Sequence, residues 1–133
     1  MERRTTRRPQ RVLIVDDSAE VRELWRLWLT FWGFTVEEAR NGWEAVEKAQ
    51  RNTPDLILMD LWMPVLDGFE AIKHLKSDVA TAQVPVLALS AQVECPSPAT
   101  VRAAGAETFI SKPCDPDVLL EHIRAAMARL QPS

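Results

Sequence analysis

The chain has 133 residues, of which 47% are hydrophobic and 26% are charged, so it is long enough for one globular domain with a buried core. No apolar run approaches the roughly 18 residues of a membrane-spanning helix, and the first residues lack the apolar segment of a secretory signal. Two cysteines, Cys95 and Cys114, do not make a disulfide framework. We therefore expect a cytoplasmic protein without a membrane partner.

Positive charge is concentrated at the N-terminus. Residues 1–11 contain five arginines and one glutamate, although the whole chain has a net charge of −3. Such an arm can bind nucleic acid or acidic lipid. Because it shows neither interleaved aromatic residues nor an amphipathic pattern, we predict that residues 1–10 are a flexible basic tail without direct nucleic-acid binding. A single domain is then expected over residues 11–131.

The first half of the chain alternates two predicted strands with two predicted helices. Residues 11–15 form an apolar run typical of a buried strand, and Ser18 is a good N-cap for the helix after it. Gly33 ends that helix, residues 34–38 form the second strand, and a turn at residues 41–42 precedes the second helix. Apolar side chains repeat at helical spacing and are expected to pack in the core: Val21, Leu24, Trp25, Trp28 and Trp32 in the first helix, and Trp43, Val46 and Ala49 in the second.

The second half of the chain continues the alternation. Residues 56–59 are the most apolar run and predict a central strand that ends at Asp60, followed by a helix over residues 68–76. Residues 84–89 predict a fourth strand ending at Ser90, and residues 107–110 a fifth strand shortly before Lys112. The last helix begins after Asp115, and its apolar stripe is Leu119, Ile123, Ala126, Met127 and Leu130.

Strands that alternate with helices favour an α/β fold, in which a parallel sheet is covered on both faces. Ligands bind such sheets outside the carboxyl ends of the strands. The residues expected at that edge are Asp16, Asp17, Asp60, Ser90 and Lys112. Three carboxylates would repel one another unless a hard divalent cation such as Mg²⁺ lay between them. A carboxylate beside such a cation can accept a phosphoryl group, with the lysine offsetting its charge.

These residues resemble the motifs of the receiver domain of bacterial response regulators. The resemblance covers roughly residues 11–130, and the spacing between the motifs fits throughout. The matching segments are Asp16-Asp17, the run from Asp60 through Met63-Pro64 to Asp67-Gly68, Ser90-Ala91, Ala104-Gly105-Ala106 and Lys112-Pro113. The resemblance implies a doubly wound, flavodoxin-like (βα)5 fold with a five-stranded parallel sheet in the order 2-1-3-4-5. Because the last predicted helix ends close to Ser133, we expect a receiver without an output domain.

The resemblance implies a role for each matching residue. Asp60 would accept the phosphoryl group from a sensor histidine kinase or a phosphotransfer protein. Asp16, Asp17, Asp60 and the backbone carbonyl of Trp62 would bind Mg²⁺, or Mn²⁺ in its place. Lys112 would pair with the phosphoryl group.

Other matching residues would carry the switch. Ser90, with the small Ala91 beside it, would move towards the phosphoryl group, and Phe109 would rotate inward as it does so. The peptide bond before Pro113 would be cis. The output face would be the fourth helix, fifth strand and fifth helix, which would bind a downstream protein effector or a second copy of the chain. The protein would not be a metabolic enzyme.

Two segments depart from the family pattern. Pro96 and Pro98 fall where the fourth helix normally begins and should delay its start to about Pro98. Trp62 is bulky for its position beside the phosphoacceptor. Our hypothesis is that its indole shields an acyl phosphate from water; packing at the surface is the alternative.

Three other functions fit parts of this sequence. An aspartate-nucleophile phosphatase resembles this core but carries Asp-x-Asp, whereas Trp62 stands in place of the second acid. A nucleotide or flavin binder needs a Gly-rich or hydroxyl-rich phosphate loop, whereas the first loop here is acidic. A receiver-like scaffold that binds partners without phosphorylation stays open, although the complete acidic set argues against it.

Overall fold

The computed structural model describes residues 10–63, 67–90, 98–112 and 114–130. Predicted features that fall on the basic tail, on Ala91 and on Pro113 lie outside the described residues. Strands and helices alternate along the chain, as the sequence predicted. They are β1 Arg11–Val15, α1 Ala19–Phe31, β2 Thr35–Ala39, α2 Gly42–Arg51, β3 Leu56–Asp60, α3 Gly68–Ser77, β4 Val86–Ser90, α4 Pro98–Ala104, β5 Thr108–Ser111 and α5 Pro116–Leu130.

The five strands form one parallel sheet in the order β2-β1-β3-β4-β5, which confirms the predicted doubly wound fold. Successive side chains of a strand point to opposite faces, so each strand contributes to two cores. Leu13 and Ile57 face the core under α2, α3 and α4, whereas Ile14 and Leu58 face the core under α1 and α5. The two-sided burial explains why β3 and β4 read as continuous apolar runs.

Local sequence accounts for most element ends. The Ser18 hydroxyl accepts a hydrogen bond from the Val21 N–H (3.3 Å), as its predicted N-cap role requires. The described part of α4 is Pro98–Ala104; residues 91–97 lie outside the described residues, so the delayed start stays a prediction. β4 begins at Val86 rather than at residue 84, because Val84 still belongs to the turn after α3, where its N–H donates to the Thr81 carbonyl.

The predicted apolar stripe of α1 was wrong in part. Trp25 and Leu29 face the core, but Leu24 is 51% exposed and Trp28 is 37% exposed. Leu27 and Phe31 are also exposed, so α1 has a second apolar arc that faces away from the sheet. Helical periodicity cannot decide which of two adjacent apolar arcs is buried, because both repeat with the same spacing.

The stripe of α2 needs a similar correction. Trp43 is 49% exposed, and the helix is buried instead through small side chains such as Ala45 and Ala49, together with Val46. The Trp43 indole lies against the His74 ring of α3, with 5.3 Å between the ring centroids. Small residues let α2 approach the sheet closely, which leaves no room there for an indole.

Within the described ranges, no helix is both long enough and apolar enough to cross a membrane.

The corrected face of α1 gives a stability prediction. We expect Leu29→Ala to lower the free energy of unfolding by about 2–5 kcal/mol, because Leu29 is fully buried and its removal leaves a cavity. Leu27→Ala, two residues away on the same helix, should change it by less than about 1 kcal/mol, since Leu27 is 65% exposed. Urea unfolding of both variants measures the difference, and equal losses would contradict this assignment of the helix faces.

Candidate functional site

Three carboxylates meet where two neighbouring strands end. Asp16 follows β1 directly, Asp60 is the last residue of β3, and β1 and β3 are hydrogen-bonded neighbours. One carboxylate oxygen each from Asp16, Asp17 and Asp60 lie within 4.8 Å of one another. Asp16 and Asp60 are only 4% and 7% exposed, whereas Asp17 is exposed to solvent. The pocket therefore has buried acids at its base and an acid at its open rim.

The loop that carries the first two acids is held by hydrogen bonds. The Asp16 N–H donates to the Ala39 carbonyl of β2 (3.1 Å), and the Ser18 N–H donates to Oδ1 of Asp16 (2.9 Å). Nη1 of Arg22, from α1, donates to the Asp16 carbonyl (2.6 Å). Backbone and carboxylate of Asp16 are thus both fixed by their neighbours.

Lys112 brings a positive charge to this pocket from the far end of the chain. Its Nζ lies 2.8 Å from Oδ2 of Asp16 and 3.7 Å from Oδ1 of Asp60. The Lys112 N–H donates to the Ser90 carbonyl (2.8 Å), so the ladder between β4 and β5 places the lysine. One ammonium cannot balance three carboxylates. The surplus negative charge and the hard oxygen donors fit a divalent cation such as Mg²⁺.

The pKa of the Asp60 carboxyl group is shifted by its surroundings in the pocket. Burial raises the pKa of its carboxyl group from an ordinary value of 3.8 to about 6. Lys112 opposes this rise, while the nearby charges of Asp16 and Asp17 add to it. The Trp62 N–H, 3.4 Å from Oδ1 of Asp60, favours the ionised form only weakly. The group can hold a metal ion, and a cation in the pocket would restore full ionisation of Asp60.

The residues predicted to act in the switch lie in β4 and β5, the strands whose pairing positions Lys112. Ser90 ends β4 and is fully buried. Phe109 lies in β5, is half-buried and packs against the core under α3 and α4. Trp62 lies two residues after Asp60 with its side chain 42% exposed, so its indole reaches the surface near the pocket. The metal role of its carbonyl and the movements of Ser90 and Phe109 stay predictions.

Gly68 supports the site in a way that the sequence did not reveal. It is the first residue of α3, and a Cβ added there would lie 2.1 Å from the Asp60 carbonyl oxygen and 2.8 Å from the Leu61 Cα. The Gly68 N–H also donates to the Leu61 carbonyl (3.2 Å). The start of α3 is therefore seated directly on the backbone that carries Asp60. The Asp-Gly motif was visible in the sequence, but not this contact.

The sheet is parallel and has the order given above, with acids at the ends of its first and third strands and a lysine after its fifth. These features together define a receiver-type α/β domain. The response regulator receiver domain model matches residues 12–124. A relative named response regulator MprA, from Mycobacterium sp. (strain KMS), is 37% identical over 124 residues, which cover 93% of this chain and 53% of the relative.

Solved structures agree with this match. A putative response regulator from Chloroflexus aurantiacus has a TM-score of 0.86 at 32% identity and covers 92% of this chain and 100% of its own. Chemotaxis protein CheY4 from Vibrio cholerae has a TM-score of 0.84 at 33% identity and covers 90% and 99%. This chain belongs to the response regulator receiver domain family. It spans about half the length of the curated relatives it matches.

The raised pKa of Asp60 predicts a pH-dependent stability. Because the folded-state pKa of about 6 exceeds the ordinary 3.8, the folded protein binds this proton more tightly than the unfolded chain does. The resulting stability is complete below the ordinary pKa and is lost as the pH rises through the folded-state pKa.

In metal-free solution, Asp60→Asn should therefore be more stable than the native chain by about 1–3 kcal/mol near pH 7.5, and the difference should shrink towards about pH 4.5. Urea unfolding in the presence of a chelator measures both proteins across this range. A difference that does not vary with pH would show that ionisation of Asp60 carries no such penalty.

Proposed function

We propose that Asp60 accepts a phosphoryl group from a sensor histidine kinase or a phosphotransfer protein, with Mg²⁺ bound by the neighbouring acids, and that phosphorylation switches a protein-interaction face. The observation that carries this proposal is the clustering of Asp16, Asp17 and Asp60 within 4.8 Å, with Lys112 against them. Membership of the receiver family supports it.

The acids would hold the metal ion that the transfer needs. Asp16, Asp17, Asp60 and the Trp62 carbonyl would hold Mg²⁺, or Mn²⁺ in its place. When bound, the ion supplies positive charge for the oxygens of the incoming phosphoryl group. Asp17 and the Trp62 side chain are exposed, so the pocket opens to solvent on the side from which a donor protein would approach.

The transfer itself needs positioning more than covalent chemistry. A carboxylate oxygen of Asp60 forms a bond to phosphorus as the bond from phosphorus to the donor imidazole nitrogen breaks, and the electron pair of that bond stays on the imidazole. Asp60 must be ionised to attack. Lys112 lies 3.7 Å from Asp60, near enough for its ammonium to contact a phosphoryl oxygen on that residue.

The switch would begin with a change of partner for Lys112. Its ammonium is now held by Asp16 at 2.8 Å, and a doubly charged phosphoryl group on Asp60 would compete with that carboxylate. The Lys112 N–H donates a hydrogen bond to the Ser90 carbonyl, so a shift of the end of β5 that carries the lysine would also move the end of β4. Phe109, half-buried in β5, would then repack.

The readout would be carried by the face formed by α4, β5 and α5. Its partner would be a downstream protein effector or a second copy of the chain. Two conformations would already exist, and the phosphoryl group would bias their populations.

Phosphorylation of Asp60 can be tested directly by mass. After incubation with Mg²⁺ and acetyl phosphate, the intact chain should gain about 80 Da, the mass of one phosphoryl group, and Asp60→Asn should gain nothing. Asp67→Asn is a matched control, because Asp67 is an N-cap of α3 outside the acidic cluster, and it should still gain the group.

No gain with any divalent metal, together with no binding of a beryllofluoride phosphoryl mimic, would overturn the proposal. The scaffold that binds partners without phosphorylation would then be the better description of this chain.

The exposed indole beside the pocket gives a kinetic prediction. If Trp62 shields the acyl phosphate from water, Trp62→Ala should shorten the lifetime of phosphorylated Asp60 by several-fold, measured as the decay of the added mass after the donor is removed. Trp43→Ala is the control, because Trp43 is similarly exposed but lies on α2, and it should leave the lifetime unchanged. An unchanged lifetime in Trp62→Ala would assign the indole to surface packing.

A further inference from the structure

A buried arginine lies behind the acidic loop. Arg22 is only 9% exposed, in the first half of α1, on the side of the helix that faces the sheet. Its Nη1 donates to the Asp16 carbonyl (2.6 Å) and its Nε donates to Oε1 of Glu38 on β2 (3.0 Å). One guanidinium therefore ties the loop after β1 to the neighbouring strand. None of the roles implied by the family motifs falls on this residue.

The ion pair of Arg22 is formed with Glu38, which Arg22 shares with Arg26. Glu38 binds Arg22 through one carboxylate oxygen and binds Arg26 through the other, at 2.8 Å from Nε of Arg26. The described contact of Arg22 with the metal-binding acids is to the backbone carbonyl of Asp16 and not to a carboxylate. What it supplies to Asp16 is a directed hydrogen bond from a planar group held at two points.

That hydrogen bond acts on the peptide unit shared by the two acids of the loop. The carbonyl of Asp16 belongs to the peptide that joins it to Asp17, so its orientation sets the backbone torsions on either side. The Asp16 N–H is fixed by Ala39 at 3.1 Å, and its carboxylate by Ser18 at 2.9 Å. With the carbonyl also held, the backbone from which both carboxylates project is fixed.

We propose that Arg22 is a positioning residue for the metal pocket: it holds the Asp16–Asp17 peptide so that both carboxylates point at one cation. This inference rests on the proposed function in one respect, namely that the acids bind Mg²⁺. Partners that orient metal ligands without touching the ion typically change affinity 10–100-fold when they are removed. Mg²⁺ requires tighter geometry than the larger Ca²⁺, so a loosened pocket should also discriminate less between the two ions.

The chain offers a matched control in Arg26. Both arginines lie on α1 one turn apart, and both pair with Glu38, but Arg26 is 55% exposed and its described contacts do not include Asp16. Arg22→Met and Arg26→Met each remove one guanidinium from Glu38 and keep a side chain of similar length. Any effect confined to Arg22→Met therefore comes from the contact with Asp16 or from burial.

The experiment is calorimetric titration of the full, metal-free chain with MgCl2 and separately with CaCl2, well below the melting temperature of each variant. Arg22→Met should bind Mg²⁺ about tenfold more weakly and show a smaller preference for Mg²⁺ over Ca²⁺, while Arg26→Met stays within about twofold of the native chain. Arg22→Lys keeps one donor without the planar fork and should lie between them. A loss of folding stability alone would not change the ratio of the two affinities.

The outcomes separate the two levels of inference. Equal Mg²⁺ affinity in Arg22→Met and the native chain, or an equal loss in Arg26→Met, would overturn the positioning role and leave the proposed function standing. A native chain that does not bind Mg²⁺ would overturn both. If Arg22→Met does not fold without metal, Arg22→Lys decides: a loss of about threefold or more relative to Arg26→Lys supports the proposal, and no difference rejects it.

Discussion

Repulsion among three carboxylates in one small pocket is the constraint to which the rest of this molecule responds. Asp16 and Asp60 are almost fully buried, and their oxygens lie within 4.8 Å of each other and of Asp17. Left alone, such a group would protonate or move apart. The apolar sheet prevents separation, because β1 and β3 are paired along their length and buried on both faces. Hydrophobic burial elsewhere thus holds an electrostatically unfavourable arrangement in place.

The neighbouring residues stabilise this group of carboxylates in different ways. Lys112 offsets part of the negative charge with its ammonium group, which lies 2.8 Å from Asp16. Gly68 leaves room beside the pocket, since the absence of a side chain lets α3 begin against the Asp60 backbone. Arg22 holds the acidic loop in position, because it donates a hydrogen bond to the Asp16 carbonyl while it is paired with Glu38. A bound cation or a phosphoryl group would therefore enter a pocket whose residues are fixed in position but whose charges are unbalanced. Under this condition a single added charge has a large effect.

The sequence was informative about the fold where a single physical signal dominated. Continuous apolar runs predicted β1, β3 and β4, and the polar residues after the predicted strands indicated which side chains would share the sheet edge. It was less informative about α1, where Trp25 and Trp28 belong to adjacent apolar arcs and only one arc faces the sheet. The strand order came from the family resemblance, since periodicity carries no information about which strands pair.

Parts of the site depend on contacts that no local pattern encodes. The bond from Arg22 to the Asp16 carbonyl requires β1, α1 and β2 to be assembled, although a cation on the core-facing arc of a helix could have raised the question. The present partner of Lys112 is Asp16, whereas the sequence predicts a contact between Lys112 and an incoming phosphoryl group. The choice between these partners is a matter of competing charges within the folded pocket.

The strand order also determines when this pocket can exist. Lys112 and Asp16 are 96 positions apart in the chain, yet their side chains are bonded. No contiguous fragment much shorter than the domain contains both. The acids themselves become neighbours only once β1 and β3 have paired, and these two strands are separated along the chain by other elements, including β2 and α2. Chain entropy makes such distant pairings late events in folding. An incomplete or partly unfolded copy would therefore lack the assembled pocket, and binding at this site would be limited to molecules that have finished folding.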